Sequence, residues 1–425
     1  MSARHETYVI VGGGIAGSAA AQAIRLRDPR GSILLIGLEV NRPYNRPPLS
    51  SQYLLRKTTR GELSTLPLGW YADNAVQLAT GKRVGRIDPA RRMVILDAGD
   101  EILFDHLLIA TGATPKRLHV PGAEMPGIYE LRTIEDADRL LNAIDAARRE
   151  GRPHDPAHRT GPRGRAVIVG GGLLGVELAG TLSTAGLHVD LVVAEPYPWK
   201  RFAGPTVGAH LSRALESHGV RLHPSARVAR FDGDGRVQRV ILDGGKSLDC
   251  DLVVVAIGAA FNREILRGTP INAEKSILVD DHCRTNVPHV YAAGDCAAVF
   301  DPLFGKHRIL EHWESARLTG TIAGANMAGD DMSYDAVSHF GSEVFGMKLT
   351  AWGESRHVAH RHTRVLEGGI VEFGVSAQNR ISQTLSVSTA KPDDSTLREL
   401  VRRRLDVSSI IEKLTDPKVD LKSLL

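Results

Sequence analysis

The sequence predicts an α/β protein: two Rossmann-like domains, each with a β-meander crossover, followed by a C-terminal α+β interface domain. Three observations carry this. Residues 9–17 read VIVGGGIAG and residues 167–175 read VIVGGGLLG, so one nine-residue pattern occurs twice. Each copy follows a short apolar strand and opens a helix, the context in which G-x-G-x-x-G cradles a pyrophosphate. At 425 residues the chain also exceeds what one hydrophobic core organises.

The elements follow in order. TYVIVGGG is an apolar strand running into glycines, IAGSAAAQAIRLRD a helix whose small residues let it press close to a sheet, and SILLIGLE the next strand. Residues 76–109 alternate apolar and polar positions between Asp/Pro and Gly/Asp turns and read as a β-meander, closed by the strand HLLIATGATP. RAVIVGGG, LLGVELAGTLSTAG and HVDLVVAE repeat the first unit, and residues 219–262 repeat its meander and closing strand. A Pro-, Gly- and Arg-rich stretch at 148–165 reads as a solvated, mobile connector between them, or as a basic docking strip. Beyond residue 331 the strands KLTAWGE and GIVEFGV and the basic helix DSTLRELVRRRL form a third region. The expected boundaries are 1–118 with 265–330, then 119–264, then 331–425.

Composition narrows the function. Fifty-three basic against 49 acidic side chains leave a net charge of +4, without the dense basic face that nucleic acid needs. No apolar run is long enough to span a membrane or to act as a secretory signal, so a cytoplasmic protein with no membrane partner is expected. Cys250, Cys283 and Cys296 lie singly, without the spacing of a redox disulfide, and are expected to be packed side chains. Any redox chemistry then rests on a cofactor. His154 and His158 lie in the connector and His357, His360 and His362 among arginines, so no metal site is expected.

The glycines divide the work of a phosphate turn. Gly12 and Gly170 allow the tight turn, Gly14 and Gly172 let backbone approach the pyrophosphate, and Gly17 and Gly175 permit close helix–strand packing. An acid about 20 residues further on is expected to accept hydrogen bonds from an adenosine ribose. Those acids are Glu39 and Glu195. A carboxylate at 195 repels a 2′-phosphate, so NADH is expected before NADPH, although Lys200 and Arg201 stand close enough in sequence to meet such a phosphate.

With PYNRPPLSSQYL, LLIATGATPKRL, VYAAGDCA and EHWESARLTGTIAGANMAG added to the two glycine motifs, the chain resembles FAD-dependent pyridine nucleotide-disulfide oxidoreductases. The nearer likeness is to the ferredoxin/rubredoxin reductase-like and apoptosis-inducing-factor-like branch, along nearly the whole length. The resemblance implies FAD on the first unit and NADH on the second. It implies Arg46 and Pro47 beside the flavin, Thr111 and Gly112 near the FAD phosphates or ribityl chain, Asp295 on the ribityl hydroxyls, and Val84 offering backbone to the adenine. Gly258, in the second unit's AIG turn, is counted with the cofactor-binding residues. Trp313 is expected near the isoalloxazine and Glu177 where hydride passes from NADH to flavin.

Two departures from the family pattern stand out. Ser51 occupies the place where RPPLSK ends in a lysine that pairs with the glutamate, which predicts a raised pKa for Glu177. Gly341 replaces the second of two aromatics in HFGSEVF, opening the flavin face on the third-region side. The expected acceptor is an acidic iron–sulfur protein steered by Arg356, Arg361, Arg364 and Arg402–Arg404. The alternatives are a small molecule such as a quinone or oxygen, or an NADH-sensing role. The expected state is a monomer or homodimer.

Overall fold

The structure, a computed structural model, describes residues 6–150, 164–389 and 393–425. The chain forms two compact units: Met1–Asn45, Arg60–Thr114 and Ala259–Ser338 in one, and Arg46–Thr59, Pro115–Gly258 and His339–Leu425 in the other.

The first unit is centred on a five-stranded parallel sheet in the order Val290–Ala292, His106–Ile109, Thr7–Val11, Ser32–Ile36, Val76–Ala79. A parallel sheet covered on both faces calls for continuous apolar strands, and Val9, Ile10, Leu107 and Leu108 are all fully buried. The meander is narrower than the sequence pattern implies. Only Val84–Asp88, Met93–Leu96 and Glu101–Leu103 form it, while Val76–Ala79 joins the parallel sheet as its edge. Alternation cannot separate the two, because an edge strand also shows one side to solvent.

Helix Ile15–Arg27 makes its closest approach to a helix rather than to the sheet. A methyl carbon placed on Gly320 of helix Trp313–Met327 would lie 2.2 Å from the Ala16 carbonyl oxygen, and one on Gly324 would lie 2.4 Å from that of Ala20. Glycines one turn apart against alanines one turn apart bring the two backbones together.

The second unit repeats the first. Its parallel sheet runs Ile128–Tyr129, Leu252–Val255, Arg165–Val169, His188–Val192, Val220–His223, with a meander over Val228–Asp232, Arg239–Leu242 and Ser247–Asp249. Val220–His223, read above as meander, is again the parallel edge. Helix Ile134–Glu150 takes in the first residues of the expected connector and strand Arg165–Val169 its last, while 151–163 lie outside the described residues.

This unit also holds a five-stranded antiparallel sheet in the order His339–Val344, Met347–Gly353, Ile381–Ser388, Gly369–Val375, His360–Leu366. All seven residues of Gly369–Val375 are buried, so the sheet is covered on both faces. Helix Asp394–Arg402 covers part of it through Leu397, Leu400 and Val401.

Candidate functional site: two glycine cradles and a buried glutamate

Both glycine turns adopt the same geometry. Gly12 and Gly170 have φ of +130° and +124°, and a methyl carbon on either would lie 2.0 and 2.3 Å from the carbonyl oxygens of Ala110 and Ala256. On Gly17 or Gly175 it would lie 2.1 or 1.9 Å from the oxygen of Gly12 or Gly170. Side chains are thus excluded at four positions by the protein itself. At Gly14 and Gly172 nothing lies within 4 Å. The protein does not need glycine there, and the space left open is that of a group lying against the backbone.

Each of these two residues also caps its helix without a side-chain hydrogen bond, and neither helix has an acid in its first turn. The leading N–H groups and the positive end of the dipole therefore face that space, which suits a pyrophosphate in both halves.

The first unit gathers the other residues read for FAD. Glu39 is half-buried and accepts a hydrogen bond from the Tyr44 hydroxyl at 2.5 Å. Val84 is buried at the start of the meander, Thr111 is exposed directly after strand His106–Ile109, and Gly112 has φ of +69°. Asp295 is half-buried in a short helical turn, Gly294–Cys296, entered through a positive φ. Trp313 begins its helix with its indole N–H donating to Asn45 Oδ1 at 3.1 Å, and the Arg317 guanidinium lies over the ring, 5.8 Å from its centre.

In the second unit Glu195 is exposed just beyond its strand, Lys200 and Arg201 are exposed after it, and Gly258 is exposed with φ of +99°. Arg46 and Pro47 belong to a segment, 46–59, that packs within this unit. Arg46 donates to the Arg132 carbonyl at 2.5 Å, Tyr53 to Asp138 at 2.5 Å, and Arg56 pairs with Asp145.

That segment also supplies the surroundings of Glu177. Glu177 projects from helix Leu173–Thr184, and its carboxylate accepts from Ser50 Oγ at 2.8 Å and from Ser342 Oγ at 3.3 Å, with Ser51 as a third hydroxyl partner. Among the described residues its partners are hydroxyls, with no cation. Burial pushes its pKa above the usual 4.5, and the hydroxyls offset this only in part. Ser50 and Ser342 were not legible as partners. Ser342 lies 165 positions away, and nothing in a lone serine marks it as facing a carboxylate.

The cysteines are all free and buried. Burial pushes the thiols of Cys250 and Cys296 up to about 12 and about 11, and Cys283 higher still, so none is a nucleophile at neutral pH. The basic surface is smaller than the sequence implies. Arg364 is only 6% exposed and donates to the carbonyls of Pro417 and Val419, and Arg361 is paired with buried Glu372. Arg356, Arg402 and Arg403 are exposed, with Arg403 bonded to Glu399 at 2.7 Å. Arg361 and Arg364 stand three residues apart on one strand and so on opposite faces of the sheet, and on each face a covered arginine needs a carboxylate or carbonyl partner.

The pyridine nucleotide-disulphide oxidoreductase family model matches residues 6–320, and the chain belongs to this family. It is accordingly an oxidoreductase with FAD and a pyridine nucleotide as cofactors. The biphenyl dioxygenase system ferredoxin–NAD(+) reductase component of Paraburkholderia xenovorans is 32% identical over 99% of this chain and 98% of its own length. Rhodocoxin reductase of Rhodococcus erythropolis is 34% identical over 86% of this chain and 81% of its own. Among solved structures, a ferredoxin reductase from Rhodopseudomonas palustris has a TM-score of 0.89 at 29% identity, covering 99% of each chain. A covalent putidaredoxin reductase–putidaredoxin complex contains a chain with a TM-score of 0.89 at 27% identity, over 99% of this chain and 98% of that one. Among the described residues no helix is long and apolar enough to cross a membrane.

Proposed function

We propose that this chain takes hydride from NADH onto FAD and passes the electrons to a ferredoxin-type iron–sulfur protein. The observation that carries the reading is the pair of open glycine cradles within one chain whose full length matches a ferredoxin–NAD(+) reductase component. FAD, when bound, supplies the step from two-electron hydride chemistry to single-electron release.

The chain's own residues hold and orient. Gly12, Gly14, Gly17, Glu39, Val84, Thr111, Gly112 and Asp295 are the FAD residues, in a domain of 1–118 with 265–330. Gly170, Gly172, Gly175, Glu195 and Gly258 are the NADH residues, in 119–264. The region 331–425 is the interface domain. Arg46 and Pro47 border the flavin. Trp313, fixed by Asn45, shields the nicotinamide position. Glu177, held by hydroxyls at both carboxylate oxygens, orients it. Such orientation is the protein's main share of the rate. The protein works in the cytoplasm as a monomer or homodimer.

A small-molecule acceptor is the second reading. Gly341 favours it: the position is exposed and carries no side chain, and a methyl carbon there would press on the Leu349 carbonyl oxygen at 3.3 Å with nothing else within 4 Å. Steady-state NADH oxidation by the FAD-loaded protein, with an acidic ferredoxin, a quinone, ferricyanide and oxygen in parallel, separates the two. Preference for the ferredoxin, with turnover falling as salt rises, supports the first reading. Turnover with quinone alone, flat across ionic strength, supports the second, and a protein that NADH does not reduce defeats both.

A further inference from the structure

The loop that follows Glu195 is held from a distant part of the sequence. Residues 196–204 lead from the second strand of the nucleotide half to helix Pro205–Ser217, whose N-cap is Gly204. The loop is tied at both ends. Near its start, the Trp199 N–H donates to the Gly171 carbonyl in the glycine turn at 2.8 Å, with Trp199 1% exposed and held at φ of +66°, a conformation that a bulky residue keeps only when its surroundings enforce it.

At its end, the Gly204 N–H donates to both oxygens of Glu372, at 2.9 and 3.0 Å. Glu372 belongs to the C-terminal sheet and is 1% exposed. Arg361, on the neighbouring strand, completes the anchor. It pairs with Glu372 at 2.5 Å and donates to the Phe202 carbonyl and to Gln383, at 3.3 and 3.2 Å. A methyl carbon on Gly204 would lie 2.4 Å from Glu372 Oε2, so the loop end and the carboxylate fit each other closely.

Between the anchors stand Lys200 and Arg201, both exposed. A buried carboxylate bonded to one N–H and one guanidinium is costly unless its geometry is kept, and here keeping it fixes where the loop lies.

We propose that Glu372 and Arg361 are positioning residues for the dinucleotide: from the C-terminal sheet they hold the 195–204 loop so that Glu195 and the Lys200–Arg201 tip bracket the adenosine ribose. Selectivity between NADH and NADPH is then set partly outside the nucleotide half. This rests on the NADH reading above. Glu195 precedes the Trp199 anchor and its carbonyl accepts from the Ser225 N–H at 3.0 Å, so a loop released at Gly204 keeps the ribose carboxylate in place and frees the Lys200–Arg201 tip from its position at a 2′-phosphate.

The test uses the FAD-loaded enzyme with ferricyanide as acceptor, and NAD(+) and NADP(+) titrated onto the oxidised form by difference absorbance. Glu372→Gln keeps the acceptor for Gly204 but loses the ion pair. It is expected to weaken NADP(+) binding about tenfold. Its kcat with NADH should stay within about twofold, and its preference should shift further toward NADH. Arg361→Lys is expected to move the same quantities less, and it carries the test if Glu372→Gln fails to fold. Lys200→Glu, on the exposed tip, is expected to weaken NADP(+) binding without changing the melting temperature.

A folded Glu372→Gln or Arg361→Lys with wild-type NADP(+) binding and wild-type preference would overturn the proposal, as would a loss confined to kcat. Failure of the wild type itself to oxidise NADH would instead count against the proposed function.

Discussion

The two halves share a register that can be compared strand by strand. In the first, Val9 pairs with Leu34 and Leu34 with Gln77; in the second, Val167 pairs with Asp190 and Asp190 with Arg221. The glycine turns agree to a few tenths of an ångström in what they exclude. The second strand does not. Where the first half has Leu34, the second has a fully buried aspartate bonded to Arg221 and His223, each at 2.7 Å. Five residues past the open glycine, the first helix has buried Ala19 and the second has Glu177 against three serines.

The turn is therefore fixed by its own backbone and tolerates different surroundings. Beyond its turn the first half has the apolar Leu34 and Ala19, and the second has the ionisable Asp190 and Glu177.

The largest effect tests the shared part. Gly12→Ala and Gly175→Ala drive a methyl group into a carbonyl oxygen and are expected to cost more than about 4 kcal/mol, read as loss of the cooperative thermal transition. If either variant melts like the wild type, the turns are less constrained than their geometry requires.

Next in size is the part the halves do not share. Asp190→Asn leaves the half-exposed Arg221 guanidinium and the His223 imidazole facing a neutral amide and is expected to cost about 2 kcal/mol by urea denaturation. Leu34→Asn, at the matching position, removes no such partner and should cost less.

Gly172→Ala comes third. Nothing lies within 4 Å, so the fold should be untouched while the nucleotide loses its approach, with NAD(+) binding weakened about tenfold, or about 1.4 kcal/mol. A calorimetric titration beside a melting curve checks both halves of that statement. Gly14→Ala should likewise purify folded but depleted in FAD.

The smallest effects concern protons. Glu177 has a folded pKa raised by burial above its unfolded value, so its stability contribution is complete below about pH 4.5 and is lost as pH rises through the folded value. Glu177→Gln should gain stability relative to the wild type as pH rises, read as a melting temperature that varies less with pH. Asp190 has the opposite sign. Burial pushes its carboxyl up, but hydrogen bonds from His223 and Arg221 outweigh this and hold it below the usual 3.8. Its contribution is present above that value and lost as pH falls through the lower one, so Asp190→Asn should flatten the acid limb of the stability curve.

Much of this is legible in the amino-acid sequence alone. The duplicated nine residues, the strand before each copy and the helix after it are local, set by apolar periodicity and by glycine's freedom at a turn. The acids Glu39 and Glu195 follow by counting along the chain. The absence of a lysine at Ser51 was enough to predict a raised Glu177 pKa, because the missing charge is itself a sequence fact.

Other features were mixed signals. The acid within HVDLVV and the Glu372 within GIVEFGV mark buried carboxylates, since a charge inside an apolar strand must find a partner, but neither stretch names that partner. Edge strands Val76–Ala79 and Val220–His223 were hidden because alternation describes exposure rather than pairing.

The amino-acid order thus determined the groups available: two glycine turns, an acid about 20 residues beyond each, and no reactive thiol. Tertiary structure alone decided the company those groups keep. Ser50 and Ser342 meet at Glu177, and Glu372 reaches Gly204 across 168 residues, because contacts between segments far apart in the chain depend on how sheets and helices stack, and residue identity carries no record of that distance.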